Sequence, residues 1–90
     1  ELIVKLSQEL TSLMPHLSKA FYASDGSCAV EIALKMSLHS RIIQGDSQRQ
    51  HFLSLKNAYH GETLGALSVS DIGLYRAFYS SMLFETPFIE

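Results

Sequence analysis

The 90-residue sequence has one cysteine, two prolines, no tryptophan and no cluster of basic residues. Cys28 alone closes no internal disulfide and offers no metal-ligand spacing. The seven Lys and Arg residues (Lys5, Lys19, Lys35, Arg41, Arg49, Lys56 and Arg76) are scattered along a chain of net charge −2. That leaves no basic footprint to neutralise nucleic-acid phosphates. No apolar run approaches the roughly 20 residues that span a bilayer, and no signal peptide is visible. With the lone cysteine, these absences point to the cytoplasm and away from membranes and nucleic acids. At 47% apolar residues the chain is also far from disordered composition. A chain this short buries only about 60–65% of its unfolded surface when it stands alone, so so high an apolar content also suits a segment that packs against further polypeptide.

Leu2, Leu6, Leu10 and Leu13 recur at helical spacing and predict a helix that Pro15 ends near Met14. Residues 19–23 (Lys-Ala-Phe-Tyr-Ala) suit a short strand, and Ser24-Asp25-Gly26-Ser27 has turn composition with good N-cap candidates. The next helix is the clearest element. Ala29, Ile32, Ala33, Met36, Ser40 and Ile43 form one stripe beside a second made by Val30, Leu34 and Leu38, so its apolar face is broad enough for burial on more than one side. Glu31 and Lys35 stand at i and i+4, in the order that favours a helix ion pair, and Gly45 is placed for a C-terminal cap. After a polar loop, residues 51–56 alternate like a strand, residues 57–61 turn, and residues 63–69, small and apolar, predict a short helix. Residues 74–84 are aromatic and amphipathic, a further helix or an irregular arm closed by Pro87. The order helix, strand, helix, strand, helix predicts an α/β fold, a βαβ segment with a parallel sheet. Such sheets bind ligands beyond the carboxyl ends of their strands, where both turns fall.

Two of those turns carry candidate chemistry. Gly26-Ser27 opens the best helix, where free N–H groups and the positive end of the dipole make a phosphate seat. Gly26 permits close approach of a ligand to the backbone, and the Ser27 hydroxyl has one more hydrogen bond to donate. Simple N-capping by Ser24, Asp25 or Ser27 explains the same residues. Tyr59-His60-Gly61 follows the second strand. The Tyr59 ring suits stacking on a planar heteroaromatic group, and His60 either bonds a ligand or holds the loop.

Residues 21–36, Phe-Tyr-Ala-Ser-Asp-Gly-Ser-Cys-Ala-Val-Glu-Ile-Ala-Leu-Lys-Met, resemble the cofactor-phosphate segment of class III (fold-type I) aminotransferases. Residues 58–71, Ala-Tyr-His-Gly-Glu-Thr-Leu-Gly-Ala-Leu-Ser-Val-Ser-Asp, resemble the second signature of the same family. The form with Gly-Ser, Tyr-His-Gly, Gly-Ala and a closing Ser-Val-Ser-Asp is most similar to the branch acting in biotin biosynthesis. The resemblance covers residues 21–71 with its spacing intact. It implies that residues 1–90 are a fragment of the pyridoxal-phosphate-binding large domain of a fold-type I transferase. It further implies that Gly26 and Ser27 hold the phosphate of pyridoxal 5'-phosphate, that Tyr59 stacks on the pyridine ring and shapes the substrate pocket, and that His60 and Gly61 support that loop. The reaction implied moves an amino group from S-adenosylmethionine to 8-amino-7-oxononanoate, giving 7,8-diaminononanoate, in a cytoplasmic homodimer working on small molecules, with no metal.

One departure bears on the cofactor. The family usually carries an acidic residue two positions before the glycine, where this chain has Ser24, with Asp25 directly before Gly26. A carboxylate at Asp25 must point away from the phosphate or weaken its binding. The family's Schiff-base lysine and its pyridine-nitrogen carboxylate lie later in a longer chain. Lys35 reads as a surface charge, Lys56 has no such role in the motif, and Asp71 is a signature position of another kind, so no catalytic residue is assigned here. Two other readings suit the same loops: a class III member acting on ornithine, 4-aminobutyrate or a diamine, and a non-catalytic α/β remnant.

Overall fold

The structure, a computed structural model, describes all 90 residues. Helix α1 (Leu2–Leu13) ends at Met14, whose extended backbone (φ −128°, ψ 83°) is what a following proline imposes. Residues 19–23 carry no regular secondary structure and pair with neither strand, so the strand expected there does not form. The chain instead leads straight into α2 (Gly26–Ile43), whose N-cap is Asp25. Helix α2 closes as expected at Gly45. That residue adopts φ +80°, its N–H donates to Ile42 O at 3.0 Å, and the Asp46 N–H donates to Arg41 O at 2.8 Å. These two bonds form a Schellman closure, for which glycine's tolerance of positive φ is needed.

Strand β1 is short, Ser54–Leu55. It is followed by α3 (Leu64–Ser68), α4 (Gly73–Arg76), a 3-10 turn (Ser80–Met82) and β2 (Phe88–Ile89). The two strands pair in parallel, Ser54 with Phe88 and Leu55 with Ile89. The parallel pairing expected of the fold class is present, but its partner is the segment after Pro87 rather than residues 19–23. The expected arm over 74–84 divides between α4 and the 3-10 turn.

The core lies at α3 and the residues that follow it. Ala66, Leu67, Ser68, Val69 and Ser70 are buried, whereas α1 and α2 bury no residue completely. The broad apolar face expected of α2 is therefore only partly covered: Val30, Ile32, Leu34 and Leu38 are half-buried, whereas Met36 and Ile43 are exposed. The small residues of 65–70 let a five-residue helix sit this deep, and their hydroxyls bond locally. Ser68 Oγ donates to Leu64 O at 2.7 Å, and Ser70 Oγ donates to Ala66 O at 2.8 Å. Ser54 Oγ donates to Val69 O at 2.6 Å and ties β1 to the end of α3.

So short a helix has no cooperative stability of its own, and two charged side chains hold its ends. At the N-terminus, Glu31 of α2 accepts from the Ala66 N–H at 2.8 Å and from Thr63 Oγ1 at 2.6 Å. At the C-terminus, Arg76 Nη1 donates to the carbonyls of Leu67 (2.8 Å), Ser68 (3.0 Å) and Ser70 (2.7 Å), and its guanidinium lies 5.3 Å from the Phe88 ring centroid. Both charges have the sign the helix dipole favours. The ion pair expected between Glu31 and Lys35 does not form: Glu31 turns across to α3 instead.

Candidate cofactor site

The fold brings the two candidate loops together. The start of α2 (Asp25, Gly26, Ser27 and Val30) and residues 59–63 line one cleft of about 700 Å³. The direct link runs between Ser27 and Thr63. Their hydroxyls lie 2.9 Å apart, and the Thr63 N–H donates to Ser27 Oγ at 3.2 Å. Gly61 is buried against the same serine at φ +132°, and a Cβ there would lie 2.8 Å from Ser27 Cβ. Only glycine permits both that dihedral and that approach.

The second loop is braced from below. Asn57 takes a left-handed conformation (φ 61°), which Asn tolerates better than most residues, and its N–H donates to Asp71 Oδ2 at 3.0 Å. The Asp71 N–H donates back to Ala58 O at 2.8 Å, and the His60 N–H donates to Ser70 Oγ at 2.8 Å. His60 thus serves the loop through its backbone, while its side chain stays exposed. Tyr59 is 53% exposed, its hydroxyl donates to Glu62 Oε2 at 2.9 Å, and its ring meets the Tyr75 ring at 6.1 Å and 59°. The hydrogen bond to Glu62 first, then desolvation and the nearby negative charge, raise the Tyr59 pKa above the ordinary tyrosine value.

Asp25 does not point away from the helix start; it caps it. Its Oδ1 accepts from the Cys28 N–H at 2.7 Å, and its Oδ2 accepts from Ser24 Oγ at 3.1 Å and Cys28 Sγ at 3.4 Å. The Cys28 amide first, then the Cys28 thiol and the Ser24 hydroxyl, hold the Asp25 carboxyl below the usual aspartate range. Glu31 is likewise held low: desolvation pushes its pKa up, but the bonds from Thr63, Ala66 and Gly65 outweigh it.

The cleft has the room and the backbone chemistry that a pyridoxal-phosphate group needs. Beyond its chain neighbours and its own helix backbone, nothing lies within 4 Å of the point where a Cβ on Gly26 would stand, so the first turn of α2 is open to close approach. The cleft has the size of small-ligand pockets, and Tyr59 is among the residues that line it. The charge balance is less favourable. Asp25 and Glu62 line the cleft and no Lys or Arg does, so this chain meets an anion with helix dipole and N–H groups alone. Lys56 pairs with Glu90, and Lys35 lines two other hollows along α2. Neither lysine borders the cleft.

The loop residues stand out in the sequence, but what connects them does not. In the sequence Thr63 falls in the predicted short helix, Glu31 in a helix pair with Lys35 and Arg76 among scattered charges. Their partners lie too far along the chain for spacing to reveal.

The class-III aminotransferase family model matches residues 1–90. The chain is 54% identical over 82 residues to the adenosylmethionine-8-amino-7-oxononanoate aminotransferase of Helicobacter pylori, covering 90% of this chain and 19% of that protein. It is 41% identical over 83 residues to the enzyme of the same name from Methanocaldococcus jannaschii, covering 91% and 18%. Among solved structures, the M. jannaschii adenosylmethionine-8-amino-7-oxononanoate aminotransferase superposes with a TM-score of 0.89 at 38% identity, over 94% of this chain and 20% of that one. An amine transaminase from an uncultivated Pseudomonas species, in its PLP-bound form, also gives 0.89, at 34% identity over 97% and 20%. The chain therefore spans about a fifth of the length of the curated relatives it matches.

Proposed function

This chain belongs to the class-III aminotransferase family, and from that premise we propose that residues 1–90 are a segment of the cofactor-binding large domain of a biotin-pathway aminotransferase. In this reading the complete enzyme transfers an amino group from S-adenosylmethionine to 8-amino-7-oxononanoate, giving 7,8-diaminononanoate. It works as a cytoplasmic homodimer, and its cofactor is pyridoxal 5'-phosphate. The observation that carries the reading is the meeting of Gly26-Ser27 and Tyr59-His60-Gly61 at one cleft. The name shared by the relatives at 54% and 41% identity supports the choice of substrate.

Within the cleft, the Gly26 and Ser27 amides at the start of α2 take the cofactor phosphate. Tyr59 covers one face of the pyridine ring and borders the space left for substrate, and its hydroxyl is held by Glu62. Gly61 and the His60 amide keep that loop against Ser27 and Ser70. Pyridoxal phosphate, when bound, supplies the electron sink for amino transfer. The lysine and the carboxylate that act on it are contributed by polypeptide outside residues 1–90.

A second reading, an aminotransferase of simple amines, ornithine or 4-aminobutyrate, draws on the amine transaminase neighbour. The test is to supply the complete enzyme with 8-amino-7-oxononanoate and to compare S-adenosylmethionine with simple amines as donors. Product from S-adenosylmethionine supports the first reading, and product from simple amines alone replaces it with the second. No cofactor absorbance band and no transamination would leave a non-catalytic remnant.

A further inference from the structure

The hydrogen bonds joining the two loops have only one consistent arrangement of protons. An ionised carboxylate only accepts, so in the 2.6 Å bond between Thr63 Oγ1 and Glu31 Oε1 the threonine hydroxyl is the donor. With its single proton so used, Thr63 Oγ1 acts as acceptor toward Ser27 Oγ, 2.9 Å away, and Ser27 is the donor there. Ser27 Oγ in turn accepts from the Thr63 N–H at 3.2 Å. One directed chain results: Thr63 N–H to Ser27 hydroxyl, Ser27 hydroxyl to Thr63 hydroxyl, and Thr63 hydroxyl to Glu31. The Ser27 proton expected from the sequence to be available to a ligand is held by Thr63.

The surroundings match this arrangement on both sides. A Cβ on Gly65 would lie 2.8 Å from Glu31 Cδ, and one on Gly61 would lie 2.8 Å from Ser27 Cβ. The chain joins α2 to the segment before α3 across more than 30 residues of sequence, and it passes through Ser27 in the first turn of α2, next to the open Gly26.

We propose that Glu31 and Thr63 are positioning residues for the phosphate loop: Glu31 orients the Thr63 hydroxyl, which orients Ser27 and fixes the Gly26-Ser27 turn against residues 59–63. Neither needs to touch the ligand. The proposal rests on the cofactor reading above, and its test separates the two. The apo form of the complete enzyme is titrated with pyridoxal phosphate and, separately, with pyridoxal, which lacks the phosphate. Glu31→Ala and Thr63→Val are each expected to weaken pyridoxal phosphate on the order of tenfold, the change carried by about 1.4 kcal/mol. Pyridoxal affinity stays within about twofold on the same free-energy scale. The double variant loses no more than the worse single one, because both act in one chain. Glu31→Gln retains most of the affinity, because its amide oxygen still accepts from Thr63 and Ala66.

If Glu31→Ala does not fold, Thr63→Val and Glu31→Gln still decide the matter. Equal losses for pyridoxal and its phosphate, additive losses, or unchanged affinity would each overturn the positioning role while leaving the cofactor reading intact. A wild-type enzyme that shows no preference for the phosphate form would overturn both.

Discussion

Residues 1–90 expressed without further polypeptide are expected not to fold cooperatively, and the magnitude follows from surface area. The chain exposes 7243 Å², against about 5,200 Å² for a compact monomer of its 10.0 kDa mass, an excess of about 2,000 Å². The radius of gyration agrees, at 15.6 Å against about 12 Å for a compact chain of this length. If a little over half of the excess is apolar, at about 25 cal/mol per Å² the uncovered surface forgoes on the order of 25–30 kcal/mol of burial, an upper bound. A whole domain is normally stable by only about 5–15 kcal/mol, so the deficit is decisive. The surface responsible includes Leu2, Phe21, Leu74 and Phe78, each at least 75% exposed. Circular dichroism during heating should show a gradual loss of helix without a sigmoidal transition, and a dye that reports exposed apolar surface should bind at room temperature. A sharp melt with calorimetric and van't Hoff enthalpies in agreement, and no dye binding, would refute the reasoning and show that this surface is tolerated in a free-standing domain.

The remaining predictions are for the complete enzyme. Gly61→Ala meets both an unfavourable φ of +132° and overlap with Ser27, so it should cost about 2–4 kcal/mol by chemical denaturation and weaken cofactor retention. Arg76→Ala should cost about 2–3 kcal/mol, because it uncaps α3 and removes the contact with Phe88; Arg76→Lys should recover only part, since an ammonium lacks the planar stack. Asp25→Asn keeps a capping side chain and removes a charge beside the helix start, so pyridoxal phosphate should bind several-fold more tightly, and an unchanged or weaker affinity would count against a phosphate at Gly26. The Glu31 pKa is lowered in the folded chain, so its stabilisation is complete above the unfolded value of about 4.3. That stabilisation is lost as pH falls through the folded value. Differences in melting temperature between wild type and Glu31→Gln should therefore be constant near neutrality and shrink below about pH 4.3.

Elements set by local chemistry are legible in the sequence. The 3.6-residue periodicity of α1 and α2, the stop at Met14-Pro15 and the glycine closure at Gly45 all depend on neighbours a few residues away, and each forms where the sequence places it. The residue types of the two loops were equally legible, since a glycine at a helix start and an aromatic turn have meaning on their own. Residues 19–23 have the composition of a strand, but a strand exists only when a partner offers its backbone, and none does so here. Phe88–Ile89 has hardly enough length to register as a strand, yet it pairs because the crossover through α3 and α4 delivers it beside β1. Glu31 has a favourable neighbour at Lys35, but the Thr63 hydroxyl and the Ala66 amide at the start of α3 take its carboxylate instead, and the part-buried Ala66 amide would otherwise be left unbonded. Sequence by itself determined which groups were available to bind a phosphate and a ring. Tertiary structure decided that they share one cleft and which hydroxyl keeps its proton, because those outcomes depend on contacts between residues more than 30 positions apart.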